Sequence, residues 1–366
     1  MTLDFDVLIN VMPFMHGSSL LPLMQSCRTL HAAGVPFLLH DPVVLPSRAK
    51  VLSFCRFILI DPTRFRYLRS LEISAPGRFK PGPKADLLLA MLMHAKYLGQ
   101  LRILDCEILT SDARIASAIA GLSSLRSLAL HSLTDAACQI LSALRADLIA
   151  VELGFWRDDA IGPLDPVPFL VNFTQSLQEL RVTYAEFQGH TICYPAVRVL
   201  SIDDCRFAPI APLITNFPHV SDLSIWTGQD DEDLEDTEMD EHRQMNIRSQ
   251  QDAHWQPLAH LRGDIRSLYL LGPTCPVHHL DVQSGYMTST RIEHLSTLLA
   301  VGRPHDLTLR ARIARIDHPT LAMLLPPVQD TLAHVVLFVD CAEHTRDDVQ
   351  ERLVSAWSLI LRVAGP

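Results

Sequence analysis

Lysine is scarce in this chain. Its four lysines are Lys50, Lys80, Lys84 and Lys96, and 270 residues follow without one, although arginine is frequent. Basic residues number 31 against 41 acidic ones and form no cluster, so the broad basic face of a nucleic-acid-binding surface is excluded. Long apolar runs are missing too. The stretch "FAPIAPLITNFPHVS" at 207–221, free of acidic and basic residues, is shorter than a bilayer span and broken by prolines, so no transmembrane helix is expected. The opening "MTLDFDVL" carries aspartates where a secretory signal carries lysine or arginine, so a cytoplasmic or nuclear location is expected. The eight cysteines include no C-x-x-C pair and read as small buried hydrophobes in a reducing compartment. Absent as well are G-x-S-x-G, the phosphate-loop G-x-x-x-x-G-K-[ST] and H-E-x-x-H, so no enzyme class is indicated and no cofactor is expected.

What the chain has is aliphatic material and one recurring phrase. Hydrophobic residues make up 48% of its 366 residues, enough for two domains or one elongated array. "LRSLEI" at 68–73, "LRSLAL" at 125–130 and "IRSLYL" at 265–270 share an apolar-x-x-apolar-x-apolar pattern. The same pattern gives Leu68/Leu71/Ile73, Leu98/Leu101/Ile103, Leu125/Leu128/Leu130, Leu148/Val151/Leu153, Leu177/Leu180/Val182, Val197/Leu200/Ile202, Val220/Leu223/Ile225 and Ile265/Leu268/Leu270. Weaker copies are Val277/Leu280/Val282, "PHDLTL" at 304–309 and Leu332/Val335/Leu337. The first seven begin at intervals of 30, 27, 23, 29, 20 and 23 residues. Two of them, "LGQLRILDC" and "VRVLSIDDC", place a cysteine ninth and so resemble the L-x-x-L-x-L-x-x-N/C signature of leucine-rich repeats.

The phrase has a physical reading. Its fourth and sixth residues fall on one side of a short strand because side chains alternate with period two. One such strand cannot bury that side alone, but stacked copies wall each other in. Between the phrases, 84–96 and 111–124 have helical apolar spacing, with Ser111 as the expected N-cap of the second and Thr134 as another cap further on. The predicted fold is therefore α/β: an irregular leucine-rich-repeat horseshoe over 46–344, of about ten strand-helix units. Residues 345–366 are expected to form a capping helix, opened by Thr345 and Asp348 as a capping box.

Charge is concentrated in one place. Residues 230–241, "DDEDLEDTEMDE", hold nine acidic groups and account for all but one of the ten net negative charges. They sit where the interval between phrases stretches from Val220 to Ile265, and the polarity of 228–254 predicts a disordered insertion outside the stack.

The first 45 residues read differently. Apolar clusters at Val7/Leu8/Val11/Met12, Leu20/Leu21/Met24 and Leu30/Ala33/Val35 fit three short helices, too few residues to bury a good core unaided, so exposed apolar surface and a partner are expected. "FDVLINVMPFM" and "SSLLPLMQSCRTLHAAG", with Cys27-Arg28 near the end, resemble an F-box, with Asp4, Pro13 and Leu30 departing from its pattern. An F-box-like three-helix module followed by leucine-rich repeats is similar to diverged, fungal-like members of the F-box/leucine-rich-repeat family. That resemblance implies a non-catalytic substrate receptor of a Skp-cullin-F-box ubiquitin ligase, its F-box on the Skp-family adaptor held by a cullin scaffold and its repeats on the target protein. Its implied adaptor contacts are Leu3, Phe5, Leu8, Ile9, Met12, Phe14, Leu20, Leu23 and Leu30, several of which also suit the helix core. The scarcity of lysine would leave such a receptor few sites for modifying itself, though arginine-rich codon usage is the preferred explanation of it.

Substrate contacts are expected at outward strand positions, Glu72, Arg102, Arg126, Glu179, Arg181, Ser201, Tyr269 and Asp281, whose mixed signs predict no ligand charge. The alternative is a leucine-rich-repeat scaffold that binds proteins without a ligase. Metal is not expected. In "HHLD" at 278–281 the neighbours His278 and His279 should diverge on a strand, and Cys193 near His190 reads as loop, not as thiol and base.

Overall fold

The computed structural model describes residues 4–77, 82–110, 112–133, 135–155, 164–204, 210–226, 236–251, 253–286, 288–312 and 330–340. Chain contacts separate two compact units, Met1–Trp156 with Phe169–Leu177, and Arg157–Pro168 with Gln178–Pro366. Both are α/β, and every strand pairs in parallel with the next in sequence within its unit.

The first unit opens with helices α1 (Phe5–Val11), α2 (Gly17–Ser26) and α3 (Arg28–His40). Pro13 sits in a 3-10 turn, Met12–Phe14, that ends α1, and the Cys27 thiol caps α3 by accepting from the Leu30 N–H at 3.5 Å. Met12, Leu20, Met24, Leu30, Val35 and Leu39 form the shared core, with Phe54 and Phe57 packed against it. After them come β1 (Val43–Leu45), α4 (Arg48–Ile60), β2 (Ser70–Ile73), α5 (Pro83–His94) and β3 (Gln100–Ile103). The unit continues with α6 (Glu107–Thr110), α7 (Ala113–Ala120), β4 (Ser127–Leu133), α8 (Asp135–Ala143) and β5 (Ala150–Phe155). The cap of α7 is Asp112, whose carboxylate accepts from the Arg114 N–H at 3.0 Å; Ser111 and Thr134, the caps expected from sequence, lie outside the described residues.

The second unit runs β6 (Glu179–Thr183), β7 (Val199–Asp203), α9 (Ile210–Asn216), β8 (Asp222–Trp226), α10 (Asp236–Ser249) and β9 (Leu258–Asp264). It continues with α11 (Ile265–Leu271), β10 (Val277–Tyr286), α12 (Ser289–Gly302), β11 (Asp306–Arg312) and β12 (His334–Asp340).

Register explains why the phrase recurs. In the first unit its fourth residues, Leu71, Leu101, Leu128 and Val151, stand side by side on β2 to β5. Leu180, Leu200, Leu223, Leu261, Leu280, Leu307 and Val335 do so on β6 to β12. All but Val335 are buried, so each strand's apolar side is covered by its neighbours and by the helices between. Most turns into a strand are pinned by the phrase's second residue: the Arg69, Gly99, Arg126, Gln178, Arg198, Ser221 and His305 carbonyls each accept from two successive N–H groups of the following phrase. One phrase position thus fixes backbone register while two others build the core.

Two expectations are corrected. "IRSLYL" is not a strand but helix α11, because the Asp264 carboxylate caps it by accepting from the Ser267 N–H at 2.9 Å and Gly272, in the left-handed region, ends it. The strand of that unit is β9, whose phrase reads Leu258/Leu261/Gly263 and lacks the sixth apolar residue. The insertion expected to be disordered over 228–254 holds helix α10, with Met239, Arg243 and Asn246 buried on it and Gln250 buried just past its end. Polar partners make that burial possible: Asn246 accepts from the Ile210 N–H at 3.0 Å and donates to the Leu270 carbonyl at 2.8 Å, while Arg243 donates to the Tyr269 carbonyl at 2.8 Å. The expected capping helix at 345–366 lies outside the described residues, as does Cys205 of the second nine-residue phrase. No helix among the described residues is long and apolar enough to cross a membrane.

Candidate functional site

The N-terminal helices divide the expected adaptor contacts into two sets. Met12, Leu20 and Leu30 are buried in the three-helix core, which removes them from any partner surface. Leu8, Ile9 and Leu23 are half-buried against that core, Leu3 lies outside the described residues, and Phe5 and Phe14 are exposed, Phe14 by 86%. Val7, Val11 and Leu21 are exposed beside them. Sequence reasoning counted these three among the helix clusters but did not name them as contacts, because apolar spacing alone does not say which members of a stripe the core consumes. An apolar groove of about 550 Å³ opens in the same unit, lined by Leu21, Met24, Leu38, Val44, Phe54 and Phe57 among others, with His31, Asp41 and Lys50 at its polar points.

The outward strand positions carry charges that pair with one another. In the first unit Glu72, Arg102, Ala129 and Glu152 lie in register. The small Ala129 lets Arg102 reach past β4 to Glu152, 2.9 Å away, and His131 meets the same carboxylate at 2.9 Å. Glu72 accepts from the Ser74 hydroxyl at 2.8 Å. Arg126 is the second residue of its phrase, not an outward strand position; it donates to the Asp147 carbonyl. In the second unit Glu179 and Arg181 pair at 2.7 Å, and Arg181 and Ser201 are in register. Asp281 sits between Arg262 at 3.2 Å and Arg310 at 3.7 Å. Tyr269 is the outlier. It lies on α11, almost buried, stacked on His294 with ring centroids 3.7 Å apart and donating to Asp240 at 2.5 Å. It does not belong to the outward surface, because the element that carries it is a helix.

A group that sequence reasoning did not assemble stands at the N-terminal ends of β8 to β12. The third residues of five consecutive phrases, Asp222, His260, His279, Asp306 and His334, are in register across these strands. The second residues His278 and His305 stand beside them, joined by a His305 N–H to His278 carbonyl bond of 3.0 Å. Asp306 is the hub: His334 Nδ1 lies 2.8 Å and His305 Nδ1 2.9 Å from its Oδ1, and His278 and His279 lie 3.7 and 4.0 Å from its Oδ2. Hydrogen bonds from His334 and then His305 hold the Asp306 carboxyl below the ordinary carboxylate range against the opposing effect of desolvation. His278 and His279 therefore do not diverge in reach, contrary to expectation: strand alternation governs direction, yet both rings come within 4.0 Å of one carboxylate on the neighbouring strand. The signal was present in the sequence as His or Asp recurring at the second and third positions of successive phrases, with His334 28 residues after Asp306.

Burial pushes the Cys55 thiol up to about 12 and raises those of Cys106 and Cys275 as well, which keeps them protonated and inert. Cys193 is exposed, and the neighbouring His190 places Nε2 3.0 Å from Asp165, close in charge but not aligned for a hydrogen bond. Among known proteins, no family matches this chain and no curated protein matches it.

Proposed function

We propose that the chain is a non-catalytic substrate receptor of a Skp-cullin-F-box ubiquitin ligase. Its first three helices act as an F-box-like module and its parallel strand-helix units as an irregular leucine-rich-repeat horseshoe. The observation that carries this reading is the pair of roles split over α1, the 3-10 turn after it and α2: Met12 and Leu20 fill the core while Phe5, Val7, Val11, Phe14 and Leu21 remain in water. So much exposed apolar surface on so few residues favours a protein partner. The outward strand surface, with its internally paired charges, suits a polar target whose own groups displace or bridge those pairs.

A scaffold without a ligase is the second reading. It is favoured by Met12, Leu20 and Leu30, three implied adaptor contacts that the core occupies, and by Pro13, which ends α1 in a 3-10 turn.

Co-expression of the full chain with a Skp-family adaptor, followed by size exclusion, separates the two. A receptor co-elutes with the adaptor and loses it on Phe14→Asp, a change at a side chain 86% exposed that leaves the core intact. A wild-type chain that folds and elutes alone rules out the ligase reading and leaves the scaffold.

A further inference from the structure

The histidine and aspartate ladder of the second unit has no part in the receptor reading. One ligand atom from each of His278, His305 and Asp306 lies within 4.8 Å of the other two. A zinc ion held tetrahedrally at about 2.0–2.1 Å sets its ligand atoms about 3.4 Å apart. Closing that difference requires only side-chain rotation, because the His278 and His305 side chains are 65% and 49% exposed. The backbone beneath them is already fixed, by strand pairing of β10 with β11 and by the His305 N–H on the His278 carbonyl. The two rings also stand stacked, 5.0 Å apart at 24°.

Chemistry chooses the occupant. Two imidazoles and a carboxylate suit a borderline divalent cation of the zinc class, not the hard calcium ion, which prefers oxygen ligands alone. A carboxylate at the centre disfavours an anion. His334, already on the Asp306 Oδ1 at 2.8 Å, is placed either to complete the ligand set or to orient the carboxylate that does. The described ligand group contains no cysteine.

We propose that His278, His305 and Asp306 form a zinc-class metal site that ties β10 to β11, with His334 of β12 as fourth ligand or as the partner that orients Asp306. Its function is to clip the last strands of the second unit together, so metal binding and the stability of that unit are linked.

The test uses the untagged, metal-stripped full chain, titrated with zinc in competition with a chromophoric chelator and separately with cobalt. The expected result is one equivalent of zinc bound, a cobalt spectrum free of thiolate bands, and a melting temperature that rises with zinc. His305→Gln and His278→Gln are each expected to weaken binding at least 10-fold, in line with the loss of one ligand. Asp306→Asn is expected to abolish the zinc-dependent rise in melting temperature. His254→Gln, at an exposed histidine outside the ladder, should change nothing. The three ladder variants provide independent checks should one of them fold poorly. Absence of stoichiometric zinc binding overturns the proposal, as does binding undiminished in the folded variants or a cobalt spectrum with thiolate character.

Discussion

Gly263 occupies the sixth position of a phrase that elsewhere carries leucine, isoleucine or valine. An added Cβ there would overlap the Ile225 carbonyl oxygen and meet two Leu268 carbons at 3.1 Å. Since a backbone oxygen held in a strand cannot step aside, the absence of a side chain is what allows α11 to turn directly off β9. Gly263→Ala is therefore expected to cost about 1–3 kcal/mol in urea unfolding, the range of an overpacked core; a change below about 0.5 kcal/mol would show that the contact relaxes freely. The same residue hid its strand from sequence reading, because a search for three apolar positions passes over a glycine. Tyr269 lies off the outward surface for a related reason: its phrase has the strand pattern but forms helix α11. Glu72, Arg102, Arg181, Ser201 and Asp281, by contrast, lie on strands in the expected period because alternation is fixed by covalent geometry.

Helix α10 shows what composition conceals. Its polar sequence reads as disorder, yet the buried Met239, Arg243 and Asn246, with Gln250 just past the helix end, recur at helical spacing. Period was the informative signal, and polarity only described which groups the buried stripe would need to satisfy. Asn246 satisfies a donor on α9 and an acceptor on α11 at once. Asn246→Ala leaves the Ile210 N–H and the Leu270 carbonyl without this partner, so a loss of about 2–4 kcal/mol is expected from two unsatisfied buried groups. Glu238→Ala, on the exposed side of the same helix, should stay within about 0.5 kcal/mol. Equal effects in chemical denaturation would mean that α10 is held by something other than this network. The strands were easier to read than this helix, since ten of the eleven phrases found in the sequence fall on strands. A phrase that builds a wall must recur along the chain, whereas a helix stabilised by side-chain to backbone hydrogen bonds needs a buried stripe only within itself.

For the molecule as a whole, the proposed receptor function would rest on surfaces contributed by different parts of the chain: an apolar one on the first helices and a polar one on the strands. The first was legible as a need, because about 40 residues cannot bury a good core unaided; which side chains stay outside depended on packing that spacing alone does not determine. The second was legible in position but not in pairing, since Arg102 reaches Glu152 only because Ala129 intervenes. Hydrogen-deuterium exchange of the full chain, with and without a Skp-family adaptor, tests the receptor reading most directly. Adaptor binding is expected to protect the amides of Phe5–Val11 and Gly17–Ser26 and to leave β6 to β12 unchanged. Exchange that the adaptor does not alter in those helices, or protection confined to the strands, would contradict it.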